Sequence, residues 1–181
     1  MNRTTVTACA GAATALGGRA LLARALLAKF RRDVKKLNAG EYTSLLRAYA
    51  DGAVLVFNEG DHRWAGEHHG KQAIERFLRD FVGAGLQGEI GELLIAGPPW
   101  ALTIVARFDD HATGPGGEEL YSNRVVVLLR TRWGKIVRHE DFYEDTARIE
   151  ALERRLRELG VRPVASPERG FSPRTTARGG T

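Results

Sequence analysis

The first half of the chain shows the spacing of apolar residues that is typical of amphipathic helices. From Arg19 to Leu37 they recur at intervals of three and four positions, which predicts a helix with one buried face. The same spacing predicts a short helix over Glu41–Tyr49 and another over Lys71–Val82. Between them we expect a short strand, Ala53–Asn58, and an irregular stretch, Glu59–Gly70.

The second half of the chain alternates apolar and polar residues and is broken by clusters of proline and glycine, as expected of a meander of strands. Helices that precede mostly sequential strands predict an α+β fold, with a curved, mostly antiparallel sheet wrapped on helices. A cone-shaped half-barrel of this kind encloses an internal pocket of the sort that binds small ligands. The predicted elements are strands at Glu89–Ile95, Ala101–Asp109, Leu120–Arg132 and Ile136–Tyr143, then a helix at Thr146–Gly160.

Length and charge predict one domain with two tails. The chain has 181 residues, of which 43% are hydrophobic and 27% charged, and we place the domain at residues 19–160. Residues 1–18 and 161–181 are polar and lack periodicity, so we expect both tails to be disordered. The C-terminal tail has four arginines and one glutamate, which is +3 of the net charge of +5. The body is nearly balanced, so no specific nucleic-acid partner is expected.

Several classes of site are disfavoured. The single cysteine, Cys9, excludes an internal disulfide framework and a cysteine-rich metal site. His62, His68 and His69 share a loop, but they lack the spacing of a metal site on a helix, so we expect neither a metal nor a cofactor. No apolar run reaches the roughly 18 residues of a membrane span. Only eight residues precede Cys9, too few for a signal peptide, so we expect a cytoplasmic protein without a membrane partner.

The last predicted strand carries an unusual mixture of side chains on one face. Because strands alternate, Val137, His139, Asp141 and Tyr143 point to the same side. A plain core strand does not need an imidazole, a carboxylate and a phenol, so we hypothesise that Asp141 lies in a pocket. His139 is either a second titrating group or a core histidine with its hydrogen bonds satisfied.

A middle strand offers a possible partner for Asp141. Arg107 and Asp109 share a face, and if this strand lay beside the last one, Arg107 would sit between two carboxylates. One carboxylate could then act as a base while the other holds a proton as an acid. The alternative is a structural ion pair or a charged strand end, which the following Asp110 and His111 favour because they are close to a loop.

Two further residues have open roles. Asn58 ends a strand and opens a turn, so it is either a turn residue or a hydrogen-bonding group at the rim of a pocket. Trp64 and Trp100 either pack in the core or a lid, or stack on a ligand.

The order of elements resembles the nuclear-transport-factor-2-like superfamily, and within it the SnoaL-like polyketide cyclases and ketosteroid-isomerase-like proteins. The resemblance covers Leu21–Leu159 and rests on three features. These are Trp64–Ile74 leading into a helix, the turn Gly134-Lys135-Ile136, and an ending of the form Asp-Phe-Tyr-x-Asp. It implies a curved sheet on helices, a deep apolar pocket for a small hydrophobic molecule, and often a homodimer formed through the outer sheet face.

The polar residues are similar to those of limonene-epoxide-hydrolase-like enzymes, namely Asn58-Glu59, Arg107-Phe108-Asp109 and Asp141. This resemblance implies that Asp141 activates water, Asp109 protonates the epoxide, Arg107 bridges them and Asn58 holds the water. Val56 departs from the pattern, because that family has tyrosine there. Tyr121, Tyr143 or His139 would have to replace it, and the expected substrate- or water-binding set is Asn58, Trp64, His139 and Tyr143.

The sequence therefore predicts an enzyme that uses general acid/base catalysis on a small hydrophobic molecule, by epoxide hydrolysis or by SnoaL-like cyclisation or isomerisation. A non-catalytic domain that binds a small hydrophobic ligand is the alternative, with Arg107 as an internal ion-pair partner. A protein-interaction module that uses the outer sheet face is the third.

Overall fold

The computed structural model describes residue 21 and residues 24–114 and 116–164. The expected N-terminal tail and most of the expected C-terminal tail lie outside them. Within this part of the chain the predicted α+β fold is confirmed, with four helices and a curved, open sheet of six strands. The helices are α1 (residues 24–38), α2 (Thr43–Leu46), α3 (Gly70–Gly83) and α4 (Thr146–Glu158), and the strands are β1 (Tyr49–Phe57), β2 (Gly66–His69), β3 (Leu86–Ala96), β4 (Thr103–Thr113), β5 (Glu119–Arg132) and β6 (Lys135–Tyr143).

The sheet is antiparallel except at one pair. Its order is β2-β1-β6-β5-β4-β3, and β1 runs parallel to β6. β5 therefore lies between β4 and β6, so the two strands that carry the predicted acid/base residues are not neighbours.

One face of the sheet is covered and the other is open. The inner face packs against α1 and α3, whose apolar faces include Val34, Ile74 and Phe77. Alternation is strict in β4, where Ile104, Ala106, Phe108, Asp110 and Ala112 are all buried. Their neighbours along the strand are less buried and face the other way.

Several elements differ from the sequence prediction, in each case because a strand is longer than predicted or lies where none was predicted. The second helix is only four residues long, since the chain turns extended at Tyr49 and buries every second side chain from Ala53 to Phe57. β4 continues to Thr113, four residues beyond its predicted end. Residues Gly66–His69, expected to be irregular, pair with β1 as a short edge strand.

A bulge in β6 changes which of its residues face inward. One step along β5, from Arg130 to Thr131, matches two steps along β6, from Arg138 to Ile136. The extra residue is Val137. Simple alternation would place Ile136 and His139 on opposite faces of the sheet, but the bulge brings both side chains to the inner face.

A buried ion pair connects the β1–β2 loop to α4. Arg63 Nε lies 2.7 Å from Glu153 Oε2, and each side chain is only 2% exposed. Arg63 also donates to the carbonyl of Val161 at 2.8 Å, and the Val164 amide donates to Asp80 Oδ1 at 2.6 Å. Val161 and Val164, which follow the predicted boundary at Gly160, thus contact the rest of the domain.

Loss of the buried cation should destabilise the fold. Arg63→Met leaves Glu153 with only the half-exposed Arg157 as an ion-pair partner, so we expect the free energy of unfolding in urea to fall by about 3 kcal/mol. Arg155→Met removes an exposed pair with Glu158 and should cost less than about 1 kcal/mol. Similar losses for the two variants would contradict a stabilising role for the buried pair.

Candidate functional site

The space between the helices and the sheet holds a cavity of about 80 Å³. Its wall is mostly aromatic and aliphatic, with Phe30 from α1, Phe77 and Phe81 from α3, and Phe108 from β4. Only a few polar side chains reach it, as in typical small-molecule sites. These are Asn38, Tyr49, Asp110, His139, Asp141 and Tyr143.

Three of these polar residues form a hydrogen-bonded chain. The Tyr49 hydroxyl lies 2.5 Å from His139 Nδ1, and His139 Nε2 lies 2.7 Å from Asp141 Oδ1. Burial, followed by the charge of Asp141, raises the pKa of Tyr49 well above its ordinary value, so its hydroxyl keeps its proton. In the neutral imidazole, Tyr49 then donates to Nδ1, and the Nε2–H group donates to Asp141. Both ring nitrogens are occupied, which leaves Asp141 as the group able to accept a proton.

Asp110 supplies a second carboxyl group in a different environment. The Tyr143 hydroxyl donates to its Oδ2 at 2.9 Å, and the residue is 5% exposed. Burial raises the pKa of Asp110 to about 7, although the Tyr143 hydrogen bond lowers it, and the charges of Asp141 and Asp109 raise it further. Near neutral pH, Asp110 is therefore protonated in a large fraction of molecules and able to donate a hydrogen bond.

The backbone at Gly88 makes room for this carboxyl group. Gly88 on β3 pairs with Asp110, and a side-chain carbon at position 88 would lie 2.8 Å from Asp110 Oδ1. Asn38, at the end of α1, forms hydrogen bonds with both backbone polar groups of this glycine. Its amide nitrogen donates to the Gly88 carbonyl at 2.9 Å, and its amide oxygen accepts from the Gly88 amide at 3.1 Å.

The expected convergence of Arg107 and Asp109 on Asp141 is wrong. Arg107 Nη2 lies 3.5 Å from Asp109 Oδ2, so the two residues do pair, but on the outer face of the sheet, where Asp109 is 54% exposed. Asp141 is on the inner face and opens to the cavity. The physical reason is strand alternation, together with the position of β5 between the two strands.

Of the four residues expected to bind substrate or water, only His139 and Tyr143 line the cavity. Trp64 is 1% exposed and packs with Phe57 and His62. Asn58 lies in the same cluster, with its amide nitrogen 3.5 Å from His62 Nε2. The expected water-binding role of Asn58 in this cavity is therefore not supported.

Sequence reasoning missed Asp110 and Tyr49. Asp110 follows Ile104, Ala106 and Phe108 at steps of two, a signal that the apolar phase of the strand continues to the carboxylate. Tyr49 lies at the end of the predicted helix Glu41–Tyr49, whereas in the structure it is the buried first residue of β1.

In the described part of the chain, no group of three or more histidine, cysteine or acidic residues is placed to hold a metal ion. Among the same residues, no helix is long and apolar enough to cross a membrane.

The raised pKa of Asp110 makes its contribution to stability depend on pH. Because the folded pKa exceeds the unfolded one, the cost of its buried charge is absent below about pH 4, grows as pH rises, and is complete above about pH 7. Asp110→Asn avoids that cost, so its stability relative to wild type should rise by on the order of 4 kcal/mol between pH 4 and pH 8. Urea unfolding across this range measures it, with the exposed Asp109→Asn as control. Parallel curves for wild type and Asp110→Asn would contradict the assignment.

Comparison with known proteins agrees with this architecture. A family model described as a SnoaL-like domain matches residues 30–139. No curated protein sequence matches the chain.

Among solved structures, an NTF2-like protein of unknown function from Burkholderia pseudomallei is 21% identical, with a TM-score of 0.59 over 70% of this chain and 95% of that one. Bal32a, from a soil-derived mobile gene cassette, is 18% identical, with a TM-score of 0.57 over 73% and 96%. TerC, co-crystallised with polyporic acid, is 18% identical, with a TM-score of 0.57 over 70% and 97%. The chain belongs to the SnoaL-like domain family.

Proposed function

We propose that the protein catalyses proton transfer on a small, largely apolar molecule that carries a carbonyl group, as an isomerase or cyclase does. The observation that carries the proposal is the pair of carboxyl groups in one apolar cavity, held in different environments. Asp141 accepts a hydrogen bond from the His139 imidazole, whereas burial raises the pKa of Asp110 to about 7. Membership in the SnoaL-like family supports a function on a small molecule, by such chemistry or by binding.

The reaction follows from these two environments. Asp141 takes a proton from the carbon next to the substrate carbonyl, and negative charge moves onto the carbonyl oxygen. Protonated Asp110 donates a hydrogen bond to that oxygen while Tyr143 holds its other oxygen. Asp141 then returns the proton to another carbon, which is an isomerisation. In a cyclisation the carbanion instead attacks a second carbonyl carbon of the same molecule, the π bond of that carbonyl breaks, and its oxygen takes the proton that Asp141 had removed. The aromatic wall excludes water and binds the apolar part of the substrate.

Asp141→Asn should abolish most of the activity because an amide cannot accept the proton. Deuterium exchange next to the carbonyl of apolar cyclic ketones in D₂O, followed by NMR, should slow by about 100-fold or more. Asp109→Asn serves as control and should exchange at the wild-type rate, since its side chain lies outside the cavity. Wild-type exchange in a folded Asp141→Asn protein would refute the assignment.

The pH profile should follow Asp110. As pH rises through about 7, Asp110 loses the proton that it donates, so the rate should fall on the alkaline side. In Asp110→Asn the amide keeps a donor at all pH values, so this alkaline limb should disappear from the rate profile. An unchanged alkaline limb would assign it to another group.

Epoxide hydrolysis is a second candidate, favoured by the same protonated carboxyl. Asp141 would activate a water, and Asp110, rather than Asp109, would protonate the epoxide oxygen. Product analysis with an apolar epoxide separates this reaction from exchange on ketones.

Binding without turnover is the non-enzymatic alternative. Polyporic acid is a suitable probe for it, because a protein of similar fold was co-crystallised with it.

We also propose that the protein is a homodimer formed through the outer sheet face. Val126 and Phe142 are paired across β5 and β6 on that face and are 40% and 56% exposed. Val126→Lys should shift the mass measured by light scattering from dimer to monomer, because two lysines would meet apolar surface. An unchanged mass for the folded variant would exclude this face.

A further inference from the structure

One end of the sheet carries two exposed tryptophans close together. Trp133 occupies the β5–β6 turn and is 78% exposed, and Trp100, in the β3–β4 connection, is 54% exposed. The backbone amide of Trp133 donates to the carbonyl of Trp100 at 2.8 Å, which fixes the two segments side by side. We call this surface, made of residues 97–102, residues 130–135 and Arg47, the tryptophan end.

The charges at the tryptophan end are all positive. Arg130, Arg132 and Lys135 flank Trp133. The ammonium group of Lys135 donates to the backbone carbonyl of Arg47 at 2.8 Å, which places the backbone of a fourth basic residue beside this surface, while the Arg47 Nε donates to the Thr43 carbonyl at 3.3 Å. All four are exposed, and none has an ion-pair partner among the described residues. Residues 97–102 and 130–135 include no carboxylate. Some other arginines of this fold do pair with acids, as Arg124 does with Glu144.

The backbone at Trp133 adds an independent observation. The two-residue turn has positive φ at both positions, 50° at Trp133 and 75° at Gly134. Such turns favour Asn-Gly, and a bulky side chain at the first position is strained. Among the described residues, Trp133 is the one non-glycine residue with positive φ. A strained and exposed indole is a feature that folding alone does not explain.

We propose that the tryptophan end binds the surface of an anionic phospholipid membrane. Indole rings favour the boundary between water and acyl chains, and unpaired lysines and arginines attract acidic headgroups. A second copy of the chain fits poorly, because a two-fold contact centred here would bring the same cations together. A nucleic acid would be held in a groove lined by cations and aromatic rings, whereas Trp133 stands at the tip of a hairpin. This proposal departs from the sequence-based expectation of no membrane partner. That expectation rested on the absence of a membrane-spanning segment, which surface binding does not need.

The test is co-sedimentation of the full chain with phosphatidylcholine vesicles with or without phosphatidylserine. Binding should require phosphatidylserine and weaken as salt is raised. Arg132→Glu/Lys135→Glu should reduce binding by about tenfold or more, because two cations become anions at the surface. Arg24→Glu/Arg79→Glu is the matched control, since both residues are exposed and belong to the helices, and it should bind as wild type does. Equal losses in the two double variants would overturn the proposal and assign the attraction to net charge.

Trp133→Asn separates the role of the indole from stability. Asparagine suits the positive φ, so this variant should unfold at the same or higher urea concentration and yet lose most of its vesicle binding. Acyl chains labelled with bromine should quench the fluorescence of Trp100 and Trp133, whereas Trp64 is 1% exposed and should be spared. Vesicle binding by Trp133→Asn at the wild-type level would refute the proposal. The proposal would also be refuted if Trp133→Asn converted a dimer to a monomer. It would likewise be refuted if the protein did not bind vesicles but bound single-stranded DNA in a way that depends on Arg132 and Lys135.

Discussion

The site depends on a sheet that has one covered and one open face. In such a sheet, a shift of one position along a strand moves a side chain from the cavity to the solvent. Asp109 and Asp110 illustrate this, since they are adjacent and identical in chemistry. Asp109 pairs with an arginine in solvent, and Asp110 lies in an apolar cavity beside a tyrosine. Burial is the largest cause of the raised pKa of Asp110, about 7, and it is what the exposed Asp109 lacks.

The cavity holds its two carboxyl groups by different means. Asp141 has an imidazole donor, whose tautomer is set in turn by a buried tyrosine. Asp110 has one phenolic donor and a glycine that leaves space for its second oxygen. Two carboxylates that are both ionised in this volume would repel each other, so the difference in environment lets one be charged while the other is neutral. The apolar core offsets the folding cost of this arrangement.

The sequence was sufficient for the fold and for half of the site. Helical spacing and alternating strands predicted the α+β class, and the face shared by His139, Asp141 and Tyr143 was identified from alternation alone. The other half of the site could not be predicted, because it depends on contacts between segments that are far apart in the sequence. The neighbour of β4 is decided by strand order, and the end of β4 is decided by pairing with β5 as far as Thr113. The bulge at Val137 is visible only once β5 and β6 are in register.

The close approach of Gly88 to Asp110 ties two positions on adjacent strands to one another. A side chain at position 88 and a carboxyl group at position 110 compete for the same volume, so neither can change freely while the other is retained. In relatives the two positions should therefore covary. We expect a glycine opposite an inward-facing acid in relatives that keep this site, and a larger residue where the acid is replaced. The pair of positions can thus be compared across SnoaL-like sequences to ask which of them keep the buried acid.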